Sequence, residues 1–205
     1  MGALDRRRQR STDQDAGGGD PGVHIQNRVE EDDLRARLVE DPNDVAAFER
    51  LAEIVRVRAV EGHDAGDPKR EADDSVWALS EEIAQNPRAW YPLIQLARLS
   101  IDDDRETALR RLSTAAERDA TGEALAQGLA MLREAGHPVD ALNLGVGHWR
   151  PREHVVAAGR ELIEASIESG RSGEARRHLD AMGAHPDQAG VERLRRELEG
   201  RIAEG

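Results

Sequence analysis

The chain has 205 residues and a formal net charge of −12, from 41 acidic and 29 basic side chains. Hydrophobic residues make up 38% before the 19 glycines are counted, an ordinary globular share, yet only 2% are aromatic, which disfavours the ring- and Val-rich strands of a sandwich or barrel. Zero cysteines exclude a disulfide scaffold, a thiolate zinc site and a cysteine nucleophile, and no run of about 18 apolar residues could cross a membrane.

The first 29 residues differ from the rest. They hold Gly17-Gly18-Gly19 and few core formers, so they predict a disordered arm that cannot offset its ordering entropy. Arg6, Arg7, Arg8 and Arg10 have no apolar stretch behind them, so the start fits neither a secretory nor a twin-arginine signal, and a cytoplasmic location is expected. Up to Glu30, five Arg balance four Asp and one Glu, so the whole −12 sits on residues 31–205. The basic tip has two readings: a solubilising tail, or an arm that touches RNA or a ribonucleoprotein. Lys69 is the only lysine, a skew expected of a GC-rich bacterial genome.

Residues 30–205 read as one all-α domain, because apolar residues recur at three- and four-residue spacing and no alternating strand pattern interrupts them. Glu31-Asp32-Asp33 suits a helix start, where the dipole favours acids. Phe48, Leu51, Ala52 and Val55 mark the next helix, followed by an insertion over residues 61–70. Leu93, Leu96 and Ala97 mark another, and Asp102-Asp103-Asp104 then reads as a turn and helix N-cap. Leu125, Leu129 and Leu132 follow, then Leu162, Ile163 and Ile167. A last helix over 188–204 carries Val191, Leu194, Leu198 and Ile202 on one stripe and caps the domain. Pro42, Pro87, Gly122, Gly136, Pro151, Gly170 and Pro186 punctuate these helices.

The pattern repeats. Leu51-Ala52 returns as Leu96-Ala97, Leu129-Ala130 and Leu162-Ile163, at spacings of 45, 33 and 33. Ala108, Ala141 and Ala175 are 33 and 34 apart, and Leu112, Gly145 and Leu179 keep the same spacings. Two helices per unit and a period near 34 are the mark of a helical repeat array.

On these residues the chain resembles the tetratricopeptide repeat family: a large apolar residue then Leu-Ala on the first helix of each pair, and Ala, a large apolar residue and Ala (Ala108, Leu112, Ala115) on the second. The resemblance implies a right-handed superhelical array of antiparallel helix pairs, a TPR-like α-solenoid of about four pairs. Gly145 and Gly147 depart from it and predict a short or frayed helix, since Gly costs about 1 kcal/mol against Ala there. Gly159 likewise stands where a large residue was expected.

In that family the first helix of each pair lines a concave groove that takes an extended peptide or helix. The matching positions here are Glu49, Glu53 and Arg56; Tyr91, Ile94 and Arg98; Gln127, Met131 and Glu134; and Arg160, Glu164 and Glu168. Tyr91 and Arg98 fall about two helical turns apart and are of the types enriched in hot spots. Trp77 and Trp90 read as packing residues. Trp149, beside Arg150, reads as an exposed anchor or as a wedge filling the space that the glycines leave.

Chemistry is scarce. His148 and His154 match no metal-binding spacing, Asp64 and Asp67 lack a supporting cage, and no Ser, His and acid trio emerges from spacing. No cofactor, metal or catalytic role is therefore expected. The resemblance implies a cytoplasmic adaptor that binds a partner protein, and an uncapped end of the stack would favour homo-oligomers.

Overall fold

The computed structural model describes residues 21–62 and 67–204 and, among these, is all-helical. The helices are α1 Pro21–Glu40, α2 Val45–Glu61, α3 Pro68–Ala84, α4 Tyr91–Ser100, α5 Arg105–Arg118, α6 Glu123–Glu134, α7 Pro138–His148, α8 Val156–Glu168, α9 Ser172–Ala181 and α10 Gln188–Glu204, with one 3-10 turn at Met182–Ala184. Each packs on its sequence neighbour as far as α9, and α10 lies on both α8 and α9. Beyond that, α4 packs on α6, α6 on α8, and α5 on α7. From α4 to α10 the even-numbered helices therefore succeed one another, and among the odd ones α5 and α7 do.

Local chemistry explains the boundaries. Asp44, Asp67 and Asp104 cap α2, α3 and α5 by accepting from Ala47, Lys69 and Thr107 amides at 2.9, 3.1 and 3.0 Å. Helices α6 and α8 end on Gly136 and Gly170 at φ 79° and 69°, and the next residue's amide bonds back to Leu132 and Ser166 carbonyls in each case. This is the same left-handed stop used twice, 34 residues apart.

Three expectations change. The composition predicts an arm up to residue 29, but α1 begins at Pro21, which suits a first helical position, and after Gly22 no proline or glycine follows before Pro42. Glu31-Asp32-Asp33 thus lies mid-helix. The residues by which the first spacing of 45 exceeds the period near 34 are not all in an inserted loop over 61–70, because α2 ends at Glu61 and α3 starts at Pro68. These two helices have 17 residues each, against 10 and 14 for α4 and α5, so most of the insertion lengthens the helices. Helix α7 runs through Gly145 for 11 residues. A Cβ at Gly145 would stand 2.6 Å from a Leu162 methyl and 3.3 Å from a Leu129 methyl, so the glycine is a close-packing position. Gly159 is another: its Cβ would meet Met182 and Trp149.

The periodic positions form the core. Leu51, Leu96, Leu129 and Leu162 are buried, as are Ala108, Ala141 and Ala175, although Ala130 remains partly exposed. Three apolar clusters result, around α1–α4, α4–α8 and α8–α10. Trp90 packs against the first and second, and Trp149 against the second and third. Ala141 has no exposed surface. Ala141→Leu is expected to cost about 1–3 kcal/mol by overpacking, read as a lower urea midpoint.

Candidate interaction surface

The positions chosen for a groove lie on α2, α4, α6 and α8, with Trp149 and Arg150 on the α7–α8 connection. The structure separates them into buried, paired and free groups. Tyr91 is not on the surface: it is 5% exposed, and its ring meets Phe48 and Trp90 edge-on at 5.3 and 5.8 Å. Its hydroxyl donates to Glu49, and burial, then that bond, pushes its pKa far up. Ile94 and Met131 are buried too. Helix α4 is only ten residues long and touches α3, α5 and α6, so nearly all of it is inside.

Arg160 and Glu164 face the next even helix. Arg160 pairs with Glu197 of α10 through both oxygens, and Glu164, 5% exposed, accepts from Arg201 of α10. From the other side Arg133 of α6 donates to Glu161 and, at 3.0 and 2.6 Å, to Glu168, and lies 3.7 Å from the second Glu164 oxygen. Burial raises the pKa of Glu161, while the Glu168 and Glu161 carboxylates hold the Arg133 guanidinium charged against its own desolvation. These groups stitch α6, α8 and α10 together. The sequence reading missed Arg133; its trace is the stripe Glu161, Glu164, Glu168 at helical spacing, with a cation one repeat earlier.

Five residues remain open on this side. Glu53 and Arg56 face each other at 3.9 Å, and Gln127 is half-buried at the middle of α6. Arg98 and Glu134 are exposed and have no ion-pair partner among the described residues. The pattern is mixed in sign.

Trp149 is the wedge. Half-buried, it lies against Gly159, and its ring stands edge-on to His178 at 5.7 Å. Arg150 is exposed and pairs with Glu153 at 3.3 Å. Asn43, in the α1–α2 turn, accepts from the Trp90 and Tyr91 amides at 2.7 and 3.0 Å and donates to the Arg88 carbonyl, so one repeat caps the next. Arg118 clamps the same connection through three carbonyls.

His154 and His185 are structural in geometry. Both are buried, and His185 joins the His154 carbonyl to the Asp187 amide through its two ring nitrogens. Asp67 is spent on capping, and Asp64 and Arg6, Arg7, Arg8 and Arg10 lie outside the described residues. Ser113 and His148 do meet, at 3.0 Å, a contact that spacing did not reveal. The neighbouring acid, Glu117, stands on the serine side at 3.5 Å, whereas an acyl-transfer triad needs the acid on the far nitrogen of the histidine. The pair ties α5 to α7.

Burial holds the pKa of both His154 and His178 below the usual 6.5. Below that value the unfolded chain binds protons that the folded chain refuses, so stability is full above pH 6.5 and falls as pH drops through it. Urea midpoints at pH 7.5 and 5.5 should show the loss, and His178→Gln should shrink it. A midpoint higher at pH 5.5 would contradict the sign.

No protein family, curated protein or solved structure matches the chain.

Proposed function

We propose that the protein is an adaptor that docks a partner protein along the side built by α2, α4, α6 and α8. The supporting observation is the succession of α4, α6 and α8, with α2 joined to α4 through Phe48 and Glu49 against Tyr91, that leaves Glu53, Arg98, Gln127 and Glu134 outward, with Arg98 unpaired among the described residues. In this reading the two-helix units coil as a right-handed superhelix, as in tetratricopeptide repeats, and this side is its concave groove. A body charge of −12 repels phosphates at long range and favours a partner with basic or mixed segments.

Arg98→Glu with Gln127→Glu and Glu134→Arg should abolish capture of the partner from lysate of the native organism while leaving the melting temperature unchanged. Capture that survives all three changes would remove the groove. Capture that vanishes with ribonuclease, or on deleting residues 1–20, would favour RNA contact through the arginine tip. The deletion stops at residue 20 because α1 begins at Pro21.

A further inference from the structure

We propose that the groove between α7 and α9 is a second docking surface, for an acidic amphipathic segment of a partner protein. It lies on the odd-numbered helices, apart from the groups of the proposed adaptor side. Helix α5 packs on α7, but α7 makes no comparable contact with α9, and a cleft of about 400 Å³ runs between them.

Its two walls differ in chemistry. On α7 the wall is Leu142, Asn143 and Val146, with Leu142 buried beneath it, and Val139 extends the same helical face one turn earlier. Val139 is 47% exposed and Val146 60%; the other exposed large hydrophobics among the described residues all sit on α1 and α2. On α9, Arg171 and Arg177 both lean on one carboxylate, Glu174, at 3.5 and 4.0 Å. That wall carries one excess positive charge, a local exception on a chain whose net charge of −12 favours basic or mixed segments elsewhere. The Arg177 side chain is 75% exposed, free to meet a ligand. His178 lines the same cleft, with its Nε2 buried and unpartnered.

An apolar rail opposite a cationic rail fits a helix with one leucine-rich edge and one row of carboxylates. A basic segment meets like charge on α9. A nucleic acid would satisfy the arginines but leave Val139 and Val146 against water.

Fluorescence anisotropy with the full chain tests this. The probes are labelled peptides of about 18 residues, five helical turns. One is a Leu/Glu/Ala amphipathic helix, one has the same composition with the leucines scattered, and one has Lys for Glu. A single-stranded RNA is the fourth. The structure predicts saturable, salt-sensitive binding of the first peptide alone. Val146→Glu should weaken it about tenfold or more, as at a central interface contact. Arg171→Glu with Arg177→Glu should transfer the preference to the Lys peptide. Val146→Ser replaces Val146→Glu if the latter lowers the melting temperature. Arg98→Glu should change nothing, which separates this groove from the proposed adaptor side. Equal binding of the scattered peptide, a preference that does not follow the charge reversal, tighter binding of the RNA, or no binding at all would each overturn the proposal.

Discussion

Gly122→Ala should be among the most damaging single-methyl additions in this chain, with a loss of about 3 kcal/mol from a left-handed alanine and a backbone-level clash combined. Gly122 sits at φ 83°, and a Cβ there would lie 2.5 Å from both Cβ and Cγ of His154. Those atoms cannot swing aside, because His154 is buried, its amide bonds the Arg150 carbonyl, and the next amide, of Val155, bonds the Thr121 carbonyl. Gly136 and Gly170 provide the controls: both have positive φ, and neither Cβ would meet anything within 4 Å. Gly136→Ala and Gly170→Ala should therefore cost only the conformational part, about 1 kcal/mol. Urea titrations of the three variants read the difference. Equal losses would mean that the α5–α6 and α7–α8 connections are not packed together as described.

Trp149→Ala is expected to cost about 3 kcal/mol, the low end for removing a large core ring, because Trp149 is only half-buried. Its effect should also be spatially uneven. Trp149 packs against both the α4–α8 and the α8–α10 clusters. In a chain of units coupled only to neighbours, weakening one joint lets the end beyond it unfold first. The remaining tryptophans, Trp77 and Trp90, report the earlier units, while circular dichroism reports every helix. Their urea transitions should coincide in the parent and separate in Trp149→Ala, with circular dichroism falling first. A loss under about 1 kcal/mol with coincident curves would make Trp149 a surface residue.

The repeat period was legible because it is written twice, in the Leu-Ala positions of the even helices and the Ala positions of the odd ones, and both sets are buried apart from Ala130. What period could not show is why a position is small. Gly145 and Gly159 read as defects in a helical pattern, yet each admits a neighbour, Leu162 in one case and Met182 with Trp149 in the other. Helix-face arithmetic failed on α4 for a related reason. A ten-residue helix held by α3, α5 and α6 buries almost its whole circumference, so Tyr91 and Ile94 were placed in a groove when they belong to the core. Arg160 and Glu164 were placed on the right helix, but the charges that meet them come from α6 and α10, up to 37 residues away. Pairing at that distance leaves only the Glu161, Glu164 and Glu168 stripe as a local trace, with nothing in it that names the partners. Arg98 is the groove position that stays both exposed and unpaired among the described residues of α4, and its role is the least constrained by packing.

A chain free of native thiols allows spin labels to be placed on introduced cysteines alone. With Glu53→Cys as the fixed point, partners at Gln127→Cys and Glu168→Cys sample α6 and α8, two and three even helices further on. Packed helix axes lie roughly 8–10 Å apart, so pulsed electron spin distances should centre near 20 Å for the first pair and near 30 Å for the second. A steady rise of that size is the signature of units added by translation. Equal distances, or a label on α8 closer to α2 than the one on α6, would mean that the helices fold back on one another and that no extended side exists for a partner to occupy.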